Sequence, residues 1–344
     1  MKKIIPILLI SLLLLSACAS QGKYNPAYML GIIETTGSKN KSAISYYDSN
    51  MSKVNAMSFP YGSMEYYGFT EPIIHDGHLY TLPLGLYTKK DLGMLLDMDL
   101  ESGKTEKLKF DRINITSAVI TDDAYYVVSN LNQVSYIDRY DRETSEIRTI
   151  SVEDQLVMHI KEHEGKLVGV GLLNKDTEAE VSLLEFDFQN NKYDELMDIS
   201  PWCEGKDNPV HFVSYEGKLY LSLGQKLLVY SKENLSLEEI ELPNPFAEQI
   251  LIHEDTFYIL HADIVGASVN STVTILNPKN MKMASCELQR KAWQIELKDN
   301  LLYALDLEKR VVVQYQMENG SFVEVREIPI DTAKGMTVSA MFLK

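Results

Sequence analysis

Six times between residues 72 and 303 the chain repeats one short pattern. An apolar–polar strand runs into an acidic turn, and a second strand leaves it, usually through Leu-Tyr or a close variant. The copies are Pro72–Tyr80, Ala118–Tyr126, Ile160–Val168, Phe212–Tyr220, Ile250–Tyr258 and Ile295–Tyr303. Their central pairs are Asp76-Gly77, Asp122-Asp123, Glu164-Gly165, Glu216-Gly217, Glu254-Asp255 and Asp299-Asn300. Gly and Asn tolerate positive φ, so acid-Gly and Asp-Asn pairs suit a two-residue hairpin. The acidic residues at 76, 122, 164, 216, 254 and 299 are spaced 46, 42, 52, 38 and 45 apart. Two more strands follow each hairpin, joined by polar turns such as Glu101-Ser-Gly103, Arg142–Ser145, Gln189–Asn191, Asn277–Asn280 and Glu318–Gly320. Four short strands in ~40–50 residues is the period of a β-propeller blade. No helical period runs long enough to compete.

Six copies leave two pieces over. Tyr28–Ile33, Ala43–Tyr47 and Val54–Phe59 match the second, third and fourth strands of a blade without its first. Thr337–Phe342 is an unassigned strand-like segment. Supplied to the first blade, it closes the ring and removes the exposed edge. The expected fold is therefore all-β: seven four-stranded antiparallel blades in a single domain over residues 27–344. One stretch carries a family likeness: Tyr126-Val-Val-Ser-Asn130, then Val134-Ser-Tyr-Ile-Asp138, Thr144 and Ile147. It resembles a YVTN blade, in the seven-bladed superfamily that also holds WD-repeat and quinoprotein-like proteins. The other blades match only in rhythm. The Trp-Asp signature of WD repeats is absent, as is the tryptophan pattern of a quinone cofactor, since only Trp202 and Trp293 occur. The resemblance implies the fold and little about function.

Ahead of the repeats lies a different kind of sequence. Lys2 and Lys3 precede twelve apolar-rich residues, Ile4–Leu15, and the run ends in Leu15-Ser16-Ala17-Cys18. This is the layout of a secretory signal, and its last four residues resemble the lipobox of bacterial lipoproteins. The resemblance implies removal of residues 1–17 and a diacylglycerol on Cys18, with 18–26 as a lipidated tether. The expected location is the cell envelope, anchored to a membrane by lipid on its extracytoplasmic side. A spanning helix needs roughly 20 apolar residues, and this run falls short.

Charge and composition exclude some classes. There are 33 basic and 49 acidic residues, a formal −16. Such a surface repels nucleic acid and anionic headgroups, so the membrane link is expected through lipid. An oxidising compartment permits a bond between Cys203 and Cys286, although their contexts fall on different parts of the fold. No phosphate-cradling loop, nucleophile elbow, EF-hand or His-Glu-x-x-His motif occurs. Neither cofactor nor metal is expected.

In a propeller the first strand of each blade lines the central channel. Turns alternate between a face of short hairpins and a face of longer loops. The longer insertions here are Tyr61–Thr70, Pro83–Gly93, Gly171–Glu180, Ser200–Pro209 and His261–Ser271, all on one face. Long loops on a rigid scaffold usually carry function. Tyr61, Glu65, Tyr66 and Tyr67 in the first, and Trp202 with Glu204 in the fourth, are candidate ligand contacts, because flat rings with polar tips suit sugars and peptides. Five residues before each acidic turn stand Glu71, Ser117, His159, His211, Gln249 and Gln294; one residue before it stand His75, Thr121, His163, Tyr215, His253 and Lys298. Both sets should face the channel, and Ile74, Ile160, Ile250, Ile252 and Ile295 should pack between sheets. His159 and His211 are the candidate ligand-binding or catalytic histidines, although no carboxylate or cysteine stands at a tight spacing beside them. The expected function is a non-enzymatic binding or scaffold module for a protein, peptide or glycan. The alternative is a hydrolase or lyase acting on a glycan, lactone or peptide at the channel mouth.

Overall fold

The computed structural model describes residues 24–65, 70–84, 93–174, 179–203, 209, 211–263, 271–318 and 320–344. It contains seven separate four-stranded antiparallel sheets. Numbered by chain order as blades 1–7, they have inner strands Thr337–Leu343, Ile73–His75, Ile115–Ile120, Leu156–His163, His211–Tyr215, Ala247–His253 and Gln294–Lys298. Blade 1 is the composite expected from the sequence. Leu30–Thr35, Ser42–Tyr47 and Lys53–Phe59 form its outer three strands, and Thr337–Leu343 pairs antiparallel to Leu30–Thr35. The ring therefore closes on a strand from the other end of the chain.

The hairpins form for the reason their sequences suggest. Asp76/Gly77, Glu164/Gly165, Glu216/Gly217, Glu254/Asp255 and Asp299/Asn300 all have positive φ at both positions, the backbone of a type I′ turn. Blade 3 departs. Its Asp122-Asp123 pair stays out of the left-handed region. Thr121 instead receives the Ala124 N–H on its hydroxyl at 3.1 Å, while its own N–H bonds the Ala124 carbonyl at 3.0 Å. Arg139 then bonds Asp123 at 2.8 Å, and Arg142 reaches the Thr121 carbonyl at 2.9 Å. A second turn also recurs. Asp48, Asp99, Asp141, Asp187 and Asn277 each end a third strand and accept backbone N–H bonds from the residues two to four ahead. These are Asx-type turns, and both kinds of turn lie on the same face.

Each seam between neighbouring blades holds its own apolar core. Tyr46, Met64, Leu79 and Leu96 fill the seam between blades 1 and 2. Leu30, Ile32, Tyr303 and Val312 fill the closing seam between blades 7 and 1. Ile160, Ile250 and Ile295 are buried between sheets as expected. Ile74 and Ile252, next to the hairpin rim, are not, with 42% and 37% exposed. The insertion expected over Gly171–Glu180 is mostly strand: Lys166–Asn174 and Ala179–Asp187 stay paired out to Asn174 and Ala179. Cys203 and Cys286 are not joined by a disulfide. The Cys286 thiol donates to the Gly320 carbonyl at 3.0 Å. Among the described residues no helix is long and apolar enough to cross a membrane.

Candidate functional site

Five residues before each acidic turn, the inner strands leave the loop face and enter the channel. Six polar side chains occupy this level, and the structure divides them into two kinds. The Ser117 hydroxyl accepts the N–H of Ile160 in the next blade at 3.3 Å. The Gln249 amide oxygen accepts the N–H of Ile295 at 2.8 Å. Gln294 grips the closing strand twice at 2.8 Å, accepting the Met341 N–H and donating to the Met341 carbonyl. All three side chains are buried. They occupy a gap between inner strands where neighbouring sheets share no ladder, so they satisfy backbone groups that would otherwise be orphaned.

Glu71, His159 and His211 make no such bond. Instead Glu71 Oε2 lies 3.6 Å from His211 Nε2. Their blades, 2 and 5, are not neighbours, so this pair spans the channel. No carboxylate stands close to His211 along the chain; the ring topology supplies one from 140 positions upstream. Glu71 stands where the channel opens, and 46% of its side chain remains accessible, so water reaches this level. Burial pushes the Glu71 carboxyl up, but the neighbouring imidazole of His211, with Lys161 and His159, brings it below the usual glutamate range. His159 moves the other way for an imidazole: burial, and then the charge of His211, lower it to about 4. His211 Nδ1 is buried and has no hydrogen-bond partner among the described residues.

Two further members were missed from sequence. Lys161 and Glu296 stand three residues before their acidic turns, where the other blades carry Ile73, Val119, Val213 and Leu251. They interrupt an otherwise apolar ring. Burial, and then the charge of Glu71, push the Glu296 carboxyl up to about 8, and Gln294 Nε2 donates to its Oε1 at 2.9 Å. Alternation along the strand places both on the channel side, between the two polar levels. Near the mouth, burial and then Asp263 push Glu248 up to about 7. A repeated backbone irregularity aims this level. Register shifts leave Thr116, Met158 and Glu248 unpaired immediately before Ser117, His159 and Gln249. Bulges re-aim the side chain that follows.

The loop candidates behave differently. Tyr61 is 6% exposed and Glu65 1%. Tyr61 packs in the seam between blades 1 and 2, with the Lys107 ammonium 4.9 Å from its ring centroid. Glu65 Oε1 accepts the Leu82 N–H at 2.7 Å, and burial pushes its carboxyl up to about 7. The Glu65 carboxylate thus fastens the chain beside the Met64–Pro83 bridge, while the Tyr61 ring is taken up by the seam core. Trp202 ends a short 3-10 turn, half-buried against the core between blades 4 and 5. Tyr66, Tyr67, Glu204 and Cys18 lie outside the described residues.

The other channel histidines have local partners. His163 is 2% exposed, with Nδ1 2.8 Å from the Ser214 hydroxyl of the next blade. His75 Nε2 is 2.9 Å from Asp122 of its neighbour. Among the described residues no three His, Cys, Asp or Glu side chains come close enough to hold a metal.

The sequence matches no protein-family profile and no curated protein. Among solved structures it is similar to a candidate 6-phosphogluconolactonase from Bacteroides uniformis, with a TM-score of 0.62 and 11% identity over 92% of this chain and 100% of that one. A candidate 6-phosphogluconolactonase from Bacteroides fragilis superposes with a TM-score of 0.60 at 9% identity, over 92% and 98%. An oligogalacturonate lyase in complex with manganese gives 0.57 at 10%, over 89% and 86%. These likenesses agree with the β-propeller fold seen in the seven sheets. At such identities they carry the fold and not the chemistry.

Proposed function

We propose that this chain is a lipid-anchored protein of the cell envelope, on the extracytoplasmic side, that binds a hydroxyl-rich ligand of the glycan type at the loop-face mouth of its channel. One observation carries the binding reading. Of six polar residues at one level of the ring, three stitch blades together, while Glu71, His159 and His211 face the channel without a structural task. With its proton affinity lowered to about 4, His159 is neutral at pH 7 and offers one donor and one acceptor. Glu296, at about 8, is mostly protonated there and offers the same pair. Sugar hydroxyls need that mixture, and neither group must shed a charge to meet them. The anchor rests on the lipobox resemblance of Leu15–Cys18.

The test of binding is titration of neutral and uronic oligosaccharides into the wild type and into the double variant His159→Ala/His211→Ala. At least one oligosaccharide should bind the wild type, and the double variant should lose tenfold or more in affinity while unfolding at a similar temperature. Equal affinity in the two proteins, or no binding to either, refutes the reading. For the anchor, Cys18→Ala should release the protein from the membrane fraction or leave uncleaved precursor there. Normal lipid labelling of that variant would exclude it.

A second reading has one observation in its favour. Glu71 and Glu296 are coupled carboxyls whose environments push their proton affinities apart. Such a split is how one site holds a base and an acid together. Two of the similar structures are described as a lactonase and an oligogalacturonate lyase. Turnover of a lactone or uronate oligomer by the wild type, lost in Glu71→Gln, would establish it.

A further inference from the structure

We infer that the lipid anchor holds the propeller with its hairpin-turn face toward the bilayer, so that the candidate site opens away from the membrane. This rests on the lipidation of Cys18 proposed above; the direction comes from how the chain is fastened where it joins the ring. The Tyr24 hydroxyl donates to the Leu100 carbonyl at 2.6 Å. Its ring lies edge-on to Tyr46 at 5.7 Å and covers Gly103, where an added Cβ would come within 2.5 Å of the Tyr24 Cγ. Lys344 Nζ donates to the Pro26 carbonyl at 2.9 Å and the Leu100 carbonyl at 3.1 Å, and pairs with Glu101 at 2.8 Å. The Lys344 N–H bonds the Met29 carbonyl at 2.8 Å. Leu100–Gly103 is the turn between the third and fourth strands of blade 2, and Lys344 follows the inner strand of blade 1. Both belong to the hairpin-turn face. Residues 24–29 are therefore clamped to the face opposite the mouth where Glu71, His159 and His211 stand.

The lengths decide whether the ring could turn over. Cys18 is six residues before Tyr24, a reach of at most roughly 20 Å at full extension. A blade strand such as Lys166–Asn174 has nine residues, or roughly 30 Å at about 3.3 Å per residue. A tether fastened on the hairpin face cannot pass round the rim and bring the loop face down. Nor does the hairpin face settle flat on anionic lipid. Asp76, Asp122, Glu164, Glu216, Glu254 and Asp299 are all exposed on it, and like charge keeps such a ring off the headgroups. The protein stands over the bilayer on a short stalk with its mouth outward, within reach of a soluble or wall-borne ligand and closed to a lipid one.

The test uses the full lipidated chain in vesicles carrying a headgroup nitroxide quencher. A fluorophore is attached at Glu233→Cys, in an exposed turn of the hairpin face, or at Lys309→Cys, in an exposed turn of the loop face. Wild-type protein measures background labelling of Cys203 and Cys286. Quenching at position 233 should exceed that at 309 severalfold. Equal quenching, or the reverse order, in protein that floats with the vesicles overturns the orientation and leaves the anchor standing. Failure of the wild type to float removes the anchor and the orientation together.

Discussion

The ring of side chains where the inner strands enter the channel teaches most when its two parts are set side by side. In blades 3, 6 and 7, Ser117, Gln249 and Gln294 reach sideways to the next blade. In blades 2, 4 and 5, Glu71, His159 and His211 turn toward the channel, where Glu71 and His211 meet across it. One level of one fold thus holds both mortar and a candidate site. The first group satisfies backbone that lacks a ladder partner. The second leaves polar groups unspent inside the molecule, where keeping them costs free energy unless a ligand or channel water meets them.

The sharpest way to break this contrast is Gln294→Leu. It strips the Met341 N–H and carbonyl of their partner in the closing seam. Two unsatisfied buried groups should cost roughly 2–4 kcal/mol, read as a lower urea midpoint with an unchanged slope. A loss no larger than that of His211→Ala would erase the distinction between the two groups. Next in size is Glu296→Gln. Burial raises this carboxyl in the folded state to about 8, so the folded protein holds its proton more tightly than the unfolded chain does. Its contribution is fully present below about pH 4.5 and declines as pH rises toward 8. The variant should match the wild type near pH 4.5 and exceed it at pH 8 by on the order of 1–2 kcal/mol, with channel water moderating the effect. Parallel stability curves across that range would refute the assignment.

His159→Gln has the opposite sign. The folded value of about 4 lies below the usual histidine value, so the wild type loses stability as pH falls from 6.5 to 4, and the variant should lose less. The smallest expected effect belongs to Asn130→Ala. Its amide donates to the Thr116 hydroxyl at 3.0 Å and to the Val157 carbonyl at 3.1 Å, and the Ser135 hydroxyl bonds its oxygen. Removing it should cost about 1 kcal/mol and leave oligosaccharide affinity untouched. A binding change there would move the functional boundary into blade 3.

How far the sequence reached follows the same division. Acid-Gly and Asp-Asn pairs announced four of the six hairpins because few other residues accept positive φ; all four obey, and so does the acid–acid pair Glu254-Asp255. Asp122-Asp123 looked alike on paper but is shaped by Thr121, Arg139 and Arg142, which no local pattern reveals. The YVTN-like stretch proved to be architecture: Asn130 stitches blade 3 to blade 4, and Asp141 organises the turn around Thr144. At the channel level, alternation picked out six polar positions, of which Ser117, Gln249 and Gln294 reach to the next blade rather than into the channel. It could not separate Gln294 from His211, since both are simply polar there. That difference depends on which backbone groups of the next blade each side chain can reach and on which blades oppose one another. The aromatic richness around Tyr61 has in part a structural use. The Tyr61 ring is taken up by the seam core and Glu65 fastens the chain to blade 2, with less than a tenth of either exposed.

The composite first blade also has a consequence in time. Thr337 bonds the carbonyl of Thr35, across 302 positions of sequence. Contacts between such distant residues form slowly, because the chain between them must first give up its freedom. Until Thr337–Leu343 arrives, Leu30–Thr35 presents an unpaired edge to every neighbour in solution. Blades 2 to 7 can assemble in order as local hairpins, but the molecule stays vulnerable to aggregation until that last strand docks. The rate of ring closure, rather than the formation of any blade, should therefore set how long the newly made protein needs protection.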